Sequence, residues 1–131
     1  MGDRRAIVTE HAPAAIGPYS QAIVYGGLAY LSGQIAIDPA TGALVEGDAA
    51  TQTEQIMSNL AAVLKAAGSR FEDVLRATIF LTDLGEFANV NAVYARAFEG
   101  MEPPARACVE VSRLPKDVAV EISMLAAVRS D

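Results

Sequence analysis

Two stretches of the chain carry apolar residues at helical spacing. In the first stretch, five apolar residues recur at intervals of three or four: Ile56, Leu60, Val63, Leu64 and Ala67. This period places them on one face of a helix, which we predict over 48–67. Thr51 and Glu54 have the spacing of a capping box near its start. Gly68 stands where a glycine often ends a helix.

The second helix is predicted over 84–98. Asp83 and Glu86 are candidates for a capping pair, and Gly100 follows its end. Four residues share its expected buried face: Phe87, Asn91, Tyr94 and Phe98. A buried amide needs hydrogen-bond partners, so Asn91 should bind either backbone groups of a loop or a ligand. Asn89 should point elsewhere, which makes it a negative control.

Alternating or continuous apolar runs predict six strands. They are expected at 6–9, 20–25, 28–35, 74–81, 106–111 and 118–128. Gly26-Gly27 predicts a two-residue hairpin turn between the second and third strands. With two helices in this order, the chain is predicted to be a single α+β domain over 1–131. Its single mixed β-sheet would carry both helices on one face.

The last predicted strand, 118–128, is apolar on both of its sides. In a domain with helices on one face only, the second side has to be covered by another chain. The apolar content of 52% and the mean hydropathy of +0.26 also suggest apolar surface buried between subunits. We therefore expect a homo-oligomer, with ligand sites in the clefts between its subunits.

Composition excludes several function classes. Cys108 and His11 are the only cysteine and histidine, so neither a zinc site nor a Ser-His-Asp or Cys-His arrangement is expected. The net charge is −6 and the 10 Lys and Arg residues are scattered, which weighs against nucleic acid as a partner. No apolar run approaches the roughly 18 residues of a membrane span. We expect a cytoplasmic protein without metal or cofactor and without a membrane partner.

Arg106 and Glu121 are the strongest candidates for chemistry, because each interrupts a run that looks like core strand. A charge in such a strand is expensive unless it is paired or turned toward a cleft. Arg106 can grip a carboxylate with two parallel hydrogen bonds. Alternatively, Arg106 and Glu121 are structural, and each forms an ion pair with a neighbouring residue or the two pair with each other. The pattern leaves both readings open.

Four further residues are weaker candidates. Period-two geometry puts Cys108 on the same strand face as Arg106 and Glu110. Arg106 could lower the pKa of the Cys108 thiol, but a lone cysteine in a strand is more often an inert core residue. Tyr19 follows Gly17-Pro18, in a loop that could hold a phenol over a cleft. Ser32 and Gly33 end a strand where backbone N–H groups could be free to bind an anion.

Taken together, these residues resemble a known family. The matching segments are Ala12-Pro13-Ala14-Ala15-Ile16-Gly17-Pro18-Tyr19-Ser20-Gln21-Ala22, Ser32-Gly33-Gln34-Ile35, Val90-Asn91-Ala92-Val93-Tyr94, and the run from Pro104-Ala105-Arg106-Ala107-Cys108-Val109 to Val120-Glu121-Ile122. In this order and over nearly the whole chain, they resemble the RidA (YjgF) family of reactive-intermediate deaminases.

The resemblance implies a chorismate-mutase-like fold assembled as a homotrimer, with the last strand inserted beside earlier strands and a cleft at each subunit interface. It implies hydrolysis of small 2-imino acids to 2-keto acids and ammonia, without a cofactor. Arg106 would bind the substrate carboxylate and Glu121 would activate water. The pocket would be lined by Tyr19, Ser32, Gly33, Asn91 and Cys108.

Other functions remain open at this point. The same cleft could bind a keto acid or amino acid in a non-catalytic regulator, although such a protein would need the arginine but not the glutamate. A ribonuclease or chaperone role has been proposed for relatives, and the acidic charge balance argues against RNA. Chorismate-mutase activity would rest on the fold alone, which does not carry function.

Overall fold

The computed structural model describes residues 3–129 of the chain. Six strands and two helices follow in the predicted order: β1 (Arg5–Ile7), β2 (Ala22–Tyr25), β3 (Leu28–Gln34), α1 (Ala49–Ala66), β4 (Val74–Leu81), α2 (Phe87–Arg96), β5 (Ala105–Glu110) and β6 (Val120–Ala127). The α+β class, the single sheet and the two helices are confirmed. The ends of the predicted domain, 1–2 and 130–131, lie outside the described residues.

The six strands form one mixed sheet in the order β1-β2-β3-β6-β4-β5. All neighbours are antiparallel except β4 and β5, which run parallel. The last strand is therefore inserted between β3 and β4, as the family resemblance implies. Gly26 and Gly27 both have positive φ, 61° and 80°, in the tight turn between β2 and β3.

Helix α1 supplies most of the helical contribution to the core. Its predicted stripe is confirmed, since Ile56, Leu60, Val63 and Leu64 have no exposed surface. The predicted capping box is wrong. The helix is capped one turn earlier by Asp48, whose carboxylate accepts hydrogen bonds from the N–H and the hydroxyl of Thr51, both at 2.9 Å.

Helix α2 is shorter than predicted because its first turn is a separate 3-10 turn, Leu84–Glu86. Asp83 caps that turn through the N–H of Gly85 at 2.8 Å, but Glu86 does not return the contact and instead accepts from Asn89 at 3.3 Å. Asn89 is exposed, as expected of the negative control. The helix packs against α1 and buries Val90, Val93 and Tyr94.

The two faces of the sheet differ in exposure. In β6, Val120, Ile122 and Ala126 have no exposed surface and face the helices, whereas alternate residues such as Leu125 are half-buried on the other face. That second face also carries Tyr30, which is 49% exposed and lies opposite Leu125. It remains open in the single chain. Neither helix within residues 3–129 is long and apolar enough to span a bilayer.

The prediction of a core strand at 106–111 is wrong. Strand β5 pairs only with β4, so it forms an edge of the sheet. Only Cys108 in β5 is half-buried, and its other five residues are exposed. The apolar alternation of this strand predicted the sheet correctly but carried no information about which strands lie at its edges.

Candidate functional site

Arg106 extends from the edge strand β5 toward helix α2. Its guanidinium donates a 2.6 Å hydrogen bond to the Oδ1 atom of Asn91 and lies 5.3 Å from the ring centre of Phe87 and 5.2 Å from that of Tyr94. Within residues 3–129 Arg106 forms no ion pair with a carboxylate. The described residues therefore do not support the alternative in which Arg106 forms a structural ion pair within its own chain.

Asn91 is a partner of Arg106 rather than a fully buried amide. It lies half-buried at the margin of the face formed by Val90, Val93 and Tyr94. Its carbonyl oxygen accepts from the guanidinium, which forms no other side-chain hydrogen bond with residues 3–129 and so has N–H groups that could face a ligand. The observed partner of Asn91 is thus neither the loop backbone nor a ligand but the side chain of Arg106, and the place of Asn91 in a ligand site stays a prediction.

Glu110 extends from the same face of β5 as Arg106. Its carboxylate accepts a 2.9 Å hydrogen bond from the N–H of Leu84, at the start of the turn that leads into α2. Strand β5 is thus bonded once to the helix that carries Asn91 and once to the turn that precedes this helix. The shared orientation of Arg106, Cys108 and Glu110 follows the predicted period of two.

Arg106 and Glu121 lie on opposite faces of the sheet. Arg106 is opposite Ala77, whose side chain is fully buried beneath the helices, while Glu121 is opposite Phe80. Ala77 and Phe80 are three positions apart in β4, so their side chains point to opposite faces. Within one chain, the two candidate residues therefore belong to two separate half-sites.

The Glu121 half-site is a cavity of about 360 Å³ on the open face. It is lined by Glu121 together with Tyr19, Gln21, Gly33, Ile35 and Lys116, among others. The carboxylate is half-buried, and desolvation raises its pKa above the ordinary 4.5. A carboxyl with a raised pKa can hold and release a proton closer to neutrality.

Gly33 makes room for this carboxylate. A Cβ atom at position 33 would lie 2.9 Å from the Cδ atom of Glu121 and closer still to its Oε2 atom. Any larger residue would displace the carboxylate, so the glycine is needed for a close approach rather than for a turn. It lies in the stretch between Leu31 and Gln34 where the register of β3 against β6 shifts.

Ser32 supports the neighbouring loop. Its hydroxyl donates a 2.6 Å hydrogen bond to the carbonyl of Ser20, and its N–H donates to the carbonyl of Gln21 at 3.0 Å. The expectation of a free N–H at Ser32 is therefore wrong, because the β2–β3 pairing continues to this residue. Gly33, rather than Ser32, lines the cavity.

Tyr19 lies in a loop that is stabilised by hydrogen bonds from the side chain of Gln21. The phenol oxygen accepts from the N–H of Ile16 at 3.4 Å, and the ring is 53% exposed along the cavity. Gln21 is buried, accepts from the N–H of Thr9 at 2.8 Å and donates to the carbonyl of Pro13 at 2.8 Å. It ties the loop to the sheet. The sequence analysis did not predict this role. The available signal was the amide side chain of Gln21 directly before an apolar strand.

The rim of the Glu121 cavity contains a strained turn that the sequence analysis also missed. Lys116 and Asp117 both have left-handed backbones, with φ of 56° and 57°. Such conformations cost about 1 kcal/mol or more each for residues other than glycine. The turn is braced by a 2.7 Å contact between Arg113 and Asp117. It places Lys116 beside the cavity.

Cys108 is half-buried against the core, beside Ile79. Burial raises the pKa of its thiol, and the nearby Arg106 offsets this only in part. The expected lowering by Arg106 is therefore wrong in its net direction, and the thiol remains protonated near neutral pH. This environment fits the interpretation of Cys108 as an inert neighbour of the site rather than as a nucleophile.

The Arg106 half-site has its own cavity of about 270 Å³, lined by Tyr94, Pro103, Pro104 and Arg106. The predicted residues therefore fall into two groups. Arg106, Asn91 and Cys108 lie around one side of the β5 edge, whereas Tyr19, Gly33 and Glu121 surround the other cavity.

Comparisons with known proteins agree on one family. The sequence model of the family described as Endoribonuclease L-PSP matches residues 9–128. The chain is 56% identical to Protein DfrA of Myxococcus xanthus, over 94% of this chain and 95% of that protein. It is 48% identical to the 2-iminobutanoate/2-iminopropanoate deaminase of Salmonella typhimurium, over 93% of this chain and 96% of that protein. The crystal structure of the Rid-family protein YyfA from Yersinia pestis superposes with a TM-score of 0.94 at 48% identity, covering 96% of this chain and all of that one.

Proposed function

Because the chain belongs to the RidA (YjgF) family, we propose that it hydrolyses small 2-imino acids to 2-keto acids and ammonia. The proposed substrates are 2-iminopropanoate and 2-iminobutanoate, which arise from 2-aminoacrylate and 2-aminocrotonate. Removing them would limit damage to pyridoxal-phosphate enzymes. The deaminase name of a relative that is 48% identical supports this reaction class.

The observation that carries the proposal is the guanidinium of Arg106. It is oriented by Asn91 at 2.6 Å and by two aromatic rings, and it has no carboxylate partner within residues 3–129. An oriented guanidinium with free N–H groups can bind a carboxylate with two parallel hydrogen bonds. Every 2-imino acid carries such a carboxylate next to the reacting carbon.

Glu121 is proposed as the acid and base of the reaction. It accepts a proton from water as the water oxygen bonds to the imine carbon and the C=N bond becomes a single bond. The same proton then passes to the nitrogen, and the C–N bond breaks as the C=O bond of the keto acid forms. Ammonia leaves, and the second proton of the former water molecule passes from the hydroxyl group to Glu121. The raised pKa of the half-buried carboxyl suits these transfers, because it brings the proton affinity closer to neutral pH.

This chemistry places modest demands on the protein. A protonated imine carbon is already electrophilic, so a bound carboxylate and one positioned water would suffice. Such imines also hydrolyse unaided, and a rate gain of about 10³ corresponds to about 4 kcal/mol of barrier. Orientation of the two reactants could supply much of that.

A homotrimer is proposed as the active assembly. Arg106 and Glu121 lie on opposite faces of one chain, so a cleft between two copies is the arrangement in which both could contact one ligand. The open sheet face supports this, because it exposes Tyr25 and Tyr30 at 41% and 49% in the single chain.

The remaining residues are assigned to the walls of this cleft. Tyr19 and Gly33 would shape the Glu121 side, while Asn91 orients Arg106 on the other. Cys108 would contribute shape beside the guanidinium. Ser32 would act indirectly, since its hydroxyl already bonds to the carbonyl of Ser20.

The experiment is a coupled assay in which a threonine dehydratase generates imine in the presence of this protein. We expect faster loss of imine absorbance and faster ammonia release. Arg106→Ala should abolish the acceleration while the assembly, measured by light scattering, stays intact. Asn89→Ala, on the exposed side of the same helix, is the matched control and should retain full activity.

A protein that assembles and binds 2-oxobutanoate but does not accelerate imine loss would contradict the deaminase. That result would instead indicate the alternative function, a non-catalytic regulator that binds small carboxylates in the same cleft. Full activity in Arg106→Ala would contradict the role of the guanidinium.

A further inference from the structure

One face of helix α2 forms a cradle for Arg106. Phe87, Asn91 and Tyr94 are spaced at i, i+4 and i+7, so they line up along the helix. All three contact the same guanidinium, through a 2.6 Å hydrogen bond to Asn91 and through two rings whose centres lie 5.3 and 5.2 Å away. The position of the guanidinium is therefore fixed by a different element from the strand that carries it.

The two rings act differently from the amide. Asn91 fixes one guanidinium nitrogen, whereas ring faces attract the cation as a whole and restrict the plane in which it lies. An exposed arginine on an edge strand would otherwise sample many rotamers and lose them on binding a ligand. A restricted guanidinium loses less entropy when a carboxylate arrives.

Tyr94 is the more firmly held of the two rings. It is 3% exposed, lies against Phe98 with ring centres 4.9 Å apart, and lines the Arg106 cavity. Phe87 is only half-buried. The ring of Tyr94 is therefore the fixed surface on which the guanidinium rests.

The hydroxyl group of Tyr94 contributes no hydrogen bond. It is buried and has no partner among the described residues. Burial also raises the pKa of this phenol, so it stays neutral. An unpaired buried hydroxyl normally destabilises a fold, so the contribution of Tyr94 lies in its ring. This allows the ring and the hydroxyl to be tested separately.

We propose that Tyr94 is a positioning residue, whose ring holds Arg106 in the orientation that binds a ligand carboxylate. The inference rests on the proposed role of Arg106 and adds to it a residue outside the predicted site. It makes carboxylate affinity depend on an aromatic side chain that need not touch the ligand.

The test is the affinity for 2-oxobutanoate, a stable keto acid, measured by NMR titration so that millimolar binding is visible. Tyr94→Phe keeps the ring and should bind within about twofold of the wild type. It should melt at the same temperature or higher, because it loses only an unpaired hydroxyl. Tyr94→Leu should bind about tenfold more weakly, the size expected of a partly desolvated cation–π contact.

A double-mutant cycle with Arg106→Ala separates positioning from general damage. If Tyr94 acts through Arg106, Tyr94→Leu should cause no further loss once the guanidinium is gone. Should Tyr94→Leu fail to fold, Tyr94→Met takes its place in the same cycle, because it fills more of the same buried space without an aromatic ring. Asn89→Ala is the control on the opposite side of the helix.

Three results would overturn the proposal. They are unchanged affinity in Tyr94→Leu, an equal loss with and without Arg106, and a tenfold loss in Tyr94→Phe, which would transfer the role to the hydroxyl. Imine hydrolysis by the wild type is measured in parallel. If Arg106 and Tyr94 are coupled in keto-acid binding but no imine is hydrolysed, the positioning role stands and only the proposed reaction fails.

Discussion

Replacing Gly33 with alanine should reduce activity far more than stability. The added Cβ atom would lie 2.9 Å from the Cδ atom of Glu121, whereas ordinary van der Waals contact begins at 3.4 Å. The carboxyl group therefore has to withdraw by at least about 0.5 Å, and its nearer oxygen by more. Because these atoms are at the end of a flexible side chain, the backbone can stay in place.

The two free-energy effects differ in size. Alanine lowers the backbone entropy of the unfolded chain, which favours folding by about 0.5–1 kcal/mol, and Gly33 does not occupy the left-handed region. Moving Glu121 to a less favourable rotamer costs about 0.5–1.5 kcal/mol. The net change in stability should lie within about 1 kcal/mol. If Glu121 has the proposed catalytic role, a displacement of this size lowers the rate by about 100-fold, or about 2.7 kcal/mol of barrier.

The assay compares kcat for 2-iminobutanoate with the melting temperature of the same preparation. We expect kcat of Gly33→Ala to fall about 100-fold and the melting temperature to move by no more than about 4 °C. Asn89→Ala is the control, because Asn89 is exposed on α2 and its side chain bonds only to Glu86 among residues 3–129. It should keep kcat.

Two results would refute the reasoning. Unchanged kcat in Gly33→Ala would mean that the carboxylate has no catalytic position to lose. A further large loss when Gly33→Ala is added to Glu121→Gln would mean that Gly33 acts through something other than this carboxylate.

Three further predictions concern charge, thiol and loop. Glu121→Gln should lose kcat but keep 2-oxobutanoate binding. Because burial raises the pKa of Glu121, the wild type should lose stability as the pH rises from the ordinary 4.5 through the raised value, and urea titrations should show that Glu121→Gln lacks this loss. Cys108→Ala should retain activity, and a folded but inactive variant would contradict the inert thiol. Gln21→Leu should lower the free energy of unfolding by about 1–3 kcal/mol and raise KM, because Thr9 and Pro13 lose their partners. An unchanged KM would show that the Tyr19 loop keeps its position without Gln21.

Local signals predicted most of the fold. The stripe of α1 and the glycine pair of the β2–β3 turn are short-range patterns, and both are confirmed. Sheet order is long-range. Nothing within 106–111 distinguishes an edge strand from a central one, because the same alternation arises whenever one face is covered. The prediction of the α1 cap was wrong for a related reason. Asp48 and Thr51 both lie where an N-cap residue could start the helix, and only the geometry of the preceding loop selects Asp48.

The candidate site was predictable where charge interrupts an apolar strand, as at Arg106 and Glu121. It was not predictable where the arrangement of residues depends on backbone conformation or on strand register. The left-handed turn at Lys116 and Asp117 contains no glycine to signal it. The clearance between Gly33 and Glu121 joins residues that are distant in sequence, and only the β3–β6 register brings them together.

The placement of Arg106 and Glu121 on opposite sheet faces has a genetic consequence. If each cleft of the proposed trimer takes Arg106 from one copy and Glu121 from its neighbour, two inactive chains can complement each other. A mixture of Arg106→Ala and Glu121→Gln chains, unfolded and refolded together, would build one intact cleft in every mixed trimer. Activity would then return in a preparation in which no single chain is functional, and a cell expressing both alleles would be less impaired than one expressing either alone.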